Sequence, residues 1–184
     1  LKKNKKPILV SGATGGVGTI STFILSKLGF DVCASTRKMH QASFLKKIGA
    51  KEIVSNDEFS NQPNMPLLSI KFSAIIDNIG GDIISVGSRQ LINEGKIAAI
   101  GNTSSEVFNA NIMPFILRGI QIIGVNAESA SITFRKKIWK ELNKISKDKK
   151  LKHIYTECKL SNVIDAIKNA QEKNSVGRVI IKIN

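Results

Sequence analysis

Short apolar runs alternate with helical stretches along most of the chain. The apolar runs lie at 7–10, 31–34, 53–54, 74–77, 96–100, 119–125 and 179–183, and their β-branched content predicts strands. Between them, apolar residues recur at spacings of three and four, which predicts helices over about 17–28, 42–48, 83–92 and 163–171. The segment 55–69, with Pro63 and Pro66, is predicted to be the least regular part.

This alternation predicts the fold class. Strands that alternate with helices of this length are typical of β-α-β units in a parallel sheet. The predicted strands are almost wholly apolar, as expected when helices cover both faces of the sheet. We therefore predict an α/β protein with a Rossmann-type, doubly wound parallel sheet.

The turn between the first predicted strand and helix carries a glycine pattern. Residues 11–18 read Ser-Gly-Ala-Thr-Gly-Gly-Val-Gly, so Ala13, Gly15 and Gly18 have the spacing of a dinucleotide-binding fingerprint. Gly15 would let the backbone approach a pyrophosphate at the helix N-terminus, and Gly18 would let the helix pack closely on the sheet. The alternative is a tight strand–helix turn that binds nothing.

The end of the second predicted strand indicates which dinucleotide would bind. An NAD site usually has Asp or Glu there, to bond the ribose hydroxyls. This chain has Ser35-Thr36-Arg37-Lys38 instead, and its next acidic residue is Glu52. A hydroxyl and two cations suit the 2′-phosphate of NADP, whereas a carboxylate would repel it. NADP is favoured over NAD, and an exposed basic turn without a ligand is the alternative.

Composition adds a strong positive charge. The chain has 28 Lys and Arg against 14 Asp and Glu, a net charge of +14. Only five of the 28 are Arg and only 5% of residues are aromatic, whereas base readout favours Arg and single-strand binding needs aromatic platforms. The most basic stretch, 135–152, also has the apolar spacing of an amphipathic helix. Solvated lysines are favoured over nucleic-acid binding there, which remains a third hypothesis.

Other patterns exclude several classes of protein. No apolar run approaches the roughly 18 residues that span a bilayer, and the basic start at 1–6 is not followed by the apolar stretch of a signal peptide. Cys33, Cys158, His40 and His153 have no metal-ligand spacing, so we expect no metal site and structural thiols. A cytoplasmic protein is expected.

Five stretches together resemble a known family. They are residues 11–18, Leu45-Lys-Lys-Ile-Gly-Ala50, Asn56-Asp-Glu-Phe59, Asp77-Asn-Ile-Gly80 and Ile112-Met-Pro-Phe-Ile-Leu-Arg118. They look like the zinc-free medium-chain dehydrogenase/reductases of quinone oxidoreductase type, and within them the acryloyl-CoA reductase branch. The resemblance extends to Gly177-Arg178-Val179, near the end of the chain.

The resemblance implies an activity and a set of site residues. The activity is NADPH-dependent reduction of an activated carbon–carbon double bond, in an enoyl thioester or a quinone, without metal. Thr14, Gly15, Gly16, Val17 and Gly18 would hold the pyrophosphate, and Thr36, Arg37 and Lys38 the 2′-phosphate. By the same similarity, Asn56, Asn102, Ile116 and Ala127 would line the adenine and nicotinamide ends of the site. No proton donor is identified.

The resemblance also bears on domain organisation. Family members carry a GroES-like domain ahead of the cofactor domain, and this sequence shows none, so we expect an excised domain or the product of a shortened gene. Residues 1–150 are predicted to form the NADPH-binding domain, and 151–184 a helix and strand that return toward the missing catalytic domain. Such a fragment is expected to be inactive alone, and a non-catalytic dinucleotide-binding module is the alternative. The apolar strand at Gly119–Val125 predicts a homodimer formed edge to edge.

Overall fold

The computed structural model describes residues 5–172 and 175–183, so the outermost residues of both predicted domain ranges lie outside it. A six-stranded sheet with helices on both faces forms most of the molecule. Its six strands are β1 (Ile8–Val10), β2 (Val32–Thr36), β3 (Glu52–Ser55), β4 (Phe72–Asp77), β5 (Leu91–Ala99) and β6 (Gln121–Gly124), and two further strands outside it are β7 (Tyr155–Lys159) and β8 (Arg178–Lys182). The helices are α1 (Gly16–Lys27), α2 (Ala42–Ile48), α3 (Asn56–Ser60), α4 (Asp82–Ser88), α5 (Met113–Arg118), α6 (Ile132–Asn143) and α7 (Val163–Gln171).

The sheet order is β3-β2-β1-β4-β5-β6, and every neighbouring pair is parallel. The predicted doubly wound α/β class is therefore confirmed. The chain first moves outward from β1 through β2 to β3 and then crosses back to β4, so the direction of winding reverses between β1 and β4. The crevice at the carboxyl ends of such strands is where ligands bind in this class of fold.

Alternate residues of the central strands face opposite layers of core. Ile8 and Val10 of β1 belong to a cluster with Phe23 of α1 and Leu45 of α2. Leu9, between them, belongs to a second cluster that includes residues of α3 and α4. Each layer buries its apolar residues against one face of the sheet, which explains the nearly continuous apolar strands.

Several predicted elements differ from those observed. The segment predicted as least regular contains α3, whose Phe59 is buried in the second cluster. The helix predicted to reach Ile92 ends at Ser88, because β5 begins at buried Leu91, five residues before the predicted strand. The early part of β5 is irregular, with Glu94 at φ 59°, which explains why its apolar pattern was interrupted. α5 and β7 were not predicted.

The last strand does not join the main sheet. β8 pairs in parallel with β7 as a separate two-stranded sheet. This pair is attached to the main body through Ile154, which is buried in the first core cluster, and through the Gly177 N–H, which donates to the Thr14 carbonyl at 2.9 Å. The domain boundary near residue 150 stays a prediction. No helix in the part of the chain that the structure describes is long and apolar enough to cross a membrane.

Candidate functional site

The turn after β1 is held in one shape by close backbone approaches. Gly12 has φ +55°, a conformation that favours glycine, and the Gly15 N–H donates to the Gly12 carbonyl at 2.9 Å. A Cβ on Gly18 would stand 2.3 Å from the Gly12 oxygen. Only glycine therefore fits at position 18, as the fingerprint predicts.

This turn leaves the N-terminus of α1 open toward the crevice. The N-cap residue is Gly15, which has no side chain to bond the first N–H groups, and the first turn holds no acidic residue. The unpaired N–H groups and the positive end of the helix dipole make such a terminus favourable for an anion. A Cβ on Gly15 would come to 3.2 Å from the Gly12 oxygen, a tight contact, so glycine suits this position too.

The end of β2 brings a hydroxyl and two cations beside the glycine turn. The hydroxyls of Thr14 and Thr36 lie 3.1 Å apart, and the Lys38 N–H donates to Thr36 Oγ1 at 3.0 Å. The Lys38 ammonium donates to the Ser175 carbonyl at 2.6 Å. Burial lowers the pKa of Lys38, and the neighbouring Arg37 lowers it further. An anion placed here would relieve this repulsion.

The end of β4 forms the opposite wall and is fixed by Asp77. Its fully buried carboxylate accepts from the Ser11 hydroxyl at 2.6 Å and from the Gly80 N–H at 2.9 Å. Asn78 in turn donates its backbone N–H to Ser11 Oγ at 2.8 Å and its side-chain amide to the Ser11 carbonyl at 2.7 Å. These bonds tie β4 to β1 where the winding reverses. Asp77 and Asn78 were not among the residues predicted for the site.

Arg178 is a further residue beside the glycine turn that was not predicted to belong to the site. It begins β8, directly after the Gly177 that bonds Thr14. A Cβ on Gly16 would lie 2.5 Å from Arg178 Nε and 2.7 Å from its Cζ. The guanidinium therefore lies over the first turn of α1 and adds a positive charge to the helix terminus. Nothing about its position in the chain indicates this contact.

These elements enclose a cavity of about 320 Å³. Nine of the twelve predicted cofactor residues line it: Thr14, Gly15, Gly16, Val17, Gly18, Thr36, Arg37, Lys38 and Asn56. Asn56 is held by the Ser35 hydroxyl, which donates to its Oδ1 at 2.5 Å. The wall is completed by residues that were not predicted, namely Gly12, Asn78, Ile79, Thr103 and Ser175.

Three predicted residues do not line this cavity. Asn102 is exposed in the loop after β5, next to Thr103, which does line it. Ile116 is 68% exposed on α5, and Ala127 is exposed in the loop after β6. The assignment of these three residues to the site stays a prediction.

The thiols and histidines form no metal centre in the described ranges, 5–172 and 175–183, since no three His, Cys, Asp or Glu side chains there are grouped to hold an ion. Burial raises the pKa of Cys33 to about 12.

The most basic helix, α6, uses one of its cations locally: Arg135 donates to the carbonyls of Ala127, Glu128 and Ala130.

Comparison with known proteins adds a family and several relatives. The family model described as zinc-binding dehydrogenase matches residues 16–144. The chain is 30% identical over 184 residues to YhfP of Bacillus subtilis, a protein named as a quinone oxidoreductase, covering 100% of this chain and 56% of YhfP. It is 29% identical over 178 residues to acrylyl-CoA reductase AcuI of Ruegeria pomeroyi, covering 97% of this chain and 54% of AcuI.

Solved structures give the same result. The crystal structure of Bacillus subtilis yhfP with NAD bound matches with a TM-score of 0.93 and 31% identity, covering 100% of this chain and 56% of that one. The yhdH oxidoreductase of Salmonella enterica in complex with NADP matches with a TM-score of 0.91 and 28% identity, covering 97% of this chain and 55% of that one. The chain spans about half the length of the relatives it matches.

Proposed function

The chain belongs to the zinc-binding dehydrogenase family, and we propose that it is the NADPH-binding portion of an oxidoreductase that reduces an activated carbon–carbon double bond. The substrate class would be acryloyl-CoA or another enoyl thioester, or a quinone, as the names of AcuI and YhfP suggest. The family resemblance inferred from the motifs is confirmed. Although the family name mentions zinc, the described residues offer no group suited to hold it, and no step below involves a metal.

One observation carries the proposal: an open helix N-terminus and a pair of cations meet in a single cavity. The N–H groups of Gly16 and Val17, with Arg178 beside Gly16, would hold the pyrophosphate, and Gly15, whose own N–H is bonded to the Gly12 carbonyl, would let it approach. Thr36, Arg37 and Lys38 would hold the 2′-phosphate, since no carboxylate stands after β2 to repel it. The relatives have been solved with NADP and with NAD. The basic residues after β2 favour NADP here.

The nicotinamide end would lie toward β4. Asn78, Ile79 and Thr103 line the cavity on that side, and we place Asn102, Ile116 and Ala127 farther along the same side. The bound nicotinamide supplies a hydride to the electrophilic carbon of the substrate. The contribution of this chain would be to fix the cofactor: the bonds among Ser11, Asp77 and Asn78 hold this wall in place, so a bound cofactor would meet a rigid surface.

We propose that this chain alone binds the cofactor with little or no turnover. Ile116 and Leu117 of α5 are more than half exposed, so the side assigned to the nicotinamide is open to water. Catalysis by positioning needs water to be excluded there. Residues 1–150 would act as the cofactor domain, and 151–184 as the part that returns toward a catalytic domain. A cytoplasmic location without a nucleic-acid partner fits a small-molecule reductase of this kind.

The edge of the sheet supports a homodimer. β6 is the last strand of the sheet. Ile123 within β6 and Val125, the residue directly after it, are 44% and 45% exposed. An exposed apolar edge favours pairing with a second copy. Ile122 packs on the core and would be a poor probe, whereas Ile123→Lys changes only the exposed surface. We expect the wild type to sediment as a dimer at tens of micromolar, roughly the range of a modest interface. Monomeric wild type would contradict the proposal, as would an Ile123→Lys variant that remains dimeric.

Calorimetric titration with NADPH, followed by an activity assay, tests the function. We expect NADPH to bind and acryloyl-CoA or quinone to cause little NADPH oxidation by this chain alone. Robust substrate-dependent oxidation would show that the chain is itself a complete enzyme. Absence of binding by both NADPH and NADH would reject the cofactor site and leave only the fold.

A further inference from the structure

A groove of about 710 Å³ lies between α1 and α6. We call it the Trp139 groove. Ile20 and Ile24 of α1 line it on one side, and Trp139 of α6 lines it on the other. None of its lining residues belongs to the nucleotide crevice or to the residues predicted for the cofactor. The groove is therefore separate from the cofactor site.

The apolar lining of the groove is open to a ligand. Trp139 is 69% exposed and Ile20 is 37% exposed. Ile24 and Ile145 are half-buried because they also pack against the first core cluster, and both line the groove. Contiguous apolar surface that is rimmed by polar residues marks ligand-binding grooves and interaction sites. A ligand can thus reach apolar surface on both walls.

α6 forms a wall of the groove without closing it. None of the residues of α6 is buried, and its apolar Ile132 and Ile138 are exposed. The chain is attached to the body just after the helix, where Ile145 packs against the first core cluster and Lys27 of α1 pairs with Asp148. A helix of a globular protein normally buries one apolar side. The apolar side of α6 is therefore available to another molecule.

The polar rim of the groove is cationic. Lys136 and Lys140 line it and are exposed, and their spacing of four residues places them on one side of α6. No carboxylate lines the groove, and neither lysine forms an ion pair in the described part of the chain. Glu141, the acidic residue of α6, bonds Lys144 at 2.6 Å instead. The rim thus offers two cations to an anion.

The size of the groove suits a single alkyl chain. α6 has 12 residues and is therefore about 18 Å long at 1.5 Å per residue. At about 30 Å³ for each water-sized group, the volume holds about 24 non-hydrogen atoms. A ten-carbon carboxylate has roughly 12 such atoms and would fit inside this volume.

We propose that the Trp139 groove binds a medium-chain fatty carboxylate. The alkyl chain would lie along Ile20, Ile24 and Trp139, where it removes apolar surface from water. The carboxylate would accept hydrogen bonds from the ammonium groups of Lys136 and Lys140. A second copy of this chain is disfavoured as the occupant, because in a symmetric pair each α6 would bring its cations close to those of the other.

Trp139 supplies the readout, because it is the only tryptophan in the sequence. Its fluorescence is followed while decanoate, kept below its micelle concentration, is added to the full chain. We expect saturable binding with a dissociation constant of about 1 mM or below. Octanoate, which has a shorter chain, should bind about four- to fifteenfold weaker. Decyltrimethylammonium, with the same chain length and the opposite charge, should bind at least about fivefold weaker. Absence of saturable binding, or equal binding of decanoate and decyltrimethylammonium, would overturn the proposal.

Substitutions on α6 test the role of the charges. Lys136→Gln and Lys140→Gln should each weaken decanoate binding about two- to fivefold. Lys137→Gln is the matched control and should leave the affinity nearly unchanged. It removes the same charge from the same helix outside the groove lining, and Lys137, like Lys140, lowers the pKa of Glu141. All three lysines are exposed, so these variants are expected to fold. Equal effects of the three variants would assign the attraction to the general charge of α6 and reject the site.

Ile20→Asn tests the apolar wall and should weaken decanoate about threefold or more. Thermal denaturation shows whether this variant folds, and if it does not, the lysine variants decide alone. Two rival occupants give different results. A second copy would make the Trp139 emission depend on protein concentration without any probe. An anionic membrane would give a response to phosphatidylglycerol vesicles and none to decanoate. Either result would overturn the proposal.

Discussion

The guanidinium of Arg178 lies over the first turn of α1, so close that a Cβ on Gly16 would stand 2.5 Å from Arg178 Nε. The Gly177 N–H holds this end of β8 to the Thr14 carbonyl at 2.9 Å. Two segments from opposite ends of the chain thus form one cationic helix terminus. Glycine at position 16 leaves room for this guanidinium.

Arg178→Ala should weaken NADPH and NADH by a similar factor, because both carry the pyrophosphate. One hydrogen bond to a charged group corresponds to roughly 1.5–3 kcal/mol, and exposure to solvent reduces this, so we expect about a five- to fiftyfold loss. Lys159→Ala, on the paired strand β7, is the control. Titration calorimetry checks both variants. A loss confined to NADPH would assign Arg178 to the 2′-phosphate instead.

Arg37→Ala combined with Lys38→Ala should remove selectivity for NADPH. We expect the wild type to bind NADPH about 10- to 100-fold tighter than NADH at low salt, because two charge-assisted bonds would reach the 2′-phosphate. The preference should shrink as salt rises. The double variant should bind both cofactors nearly equally, with NADH affinity unchanged. Equal affinity of the wild type for the two cofactors would refute the 2′-phosphate assignment.

Alanine substitutions at two glycines of the same turn should differ in effect: Gly15→Ala should lower cofactor affinity, whereas Gly18→Ala should lower the free energy of unfolding. Gly15→Ala brings a Cβ to 3.2 Å from the Gly12 oxygen, a contact that a shift of a few tenths of an ångström relieves. We therefore expect the free energy of unfolding to change by less than about 1 kcal/mol, while affinity for both cofactors falls at least about tenfold. Gly18→Ala drives a Cβ to 2.3 Å from the Gly12 oxygen and should lower the free energy of unfolding by about 1–3 kcal/mol or more. Thermal denaturation and titration together distinguish these effects. Unaltered cofactor affinity in folded Gly15→Ala would place the pyrophosphate elsewhere.

Lys38 should make NADPH affinity depend on pH. Its pKa is lowered from 10.5 by burial and by Arg37, so in the free protein the ammonium loses its proton at lower pH than an ordinary lysine. A bound phosphate favours the charged form, hence NADPH affinity should fall as pH rises through this lowered pKa, before 10.5 is reached.

The control for this effect is Lys38→Arg, which keeps its charge over the whole range and should remove the pH dependence. NADH should show little change in the same titrations. Below the lowered pKa, Lys38 is charged in the native state, and its burial there lowers the free energy of unfolding. This free energy should therefore rise as the pH passes from the lowered pKa toward 10.5, where the native lysine has lost its proton and the unfolded one has not. A pH profile for NADPH that is identical in wild type and Lys38→Arg would contradict this role.

The sequence predicted the part of the site that is local in the chain. Strand β1, its glycine turn and α1 are consecutive, and the basic residues follow the next strand, so spacing alone brought Gly15, Gly18 and Arg37 together. Arg178 was not predicted because its contact with Gly16 depends on how β8 returns to the glycine turn. Spacing carries no information on such a long-range approach.

The missed elements have equally specific causes. α3 and α5 are only 5 and 6 residues long, too short to show a helical period. β7 reads Tyr-Thr-Glu-Cys-Lys, with little apolar content, and its strand is stabilised by pairing with β8. The start of β5 was not predicted because Asn93, Glu94 and Gly95 interrupt its apolar pattern, at the point where the register shifts.

The cations after β2 give the crevice a direction. The strand order places the ends of β2, β1 and β4 side by side, with Arg37 and Lys38 after β2 and the uncharged Asn78 and Ile79 after β4. An elongated molecule with a phosphate at one end meets these cations in one orientation and only uncharged side chains in the other, and opposite charges at short range attract strongly in a protein interior. The polarity of the crevice would therefore decide which end of the cofactor faces the substrate before any substrate arrives.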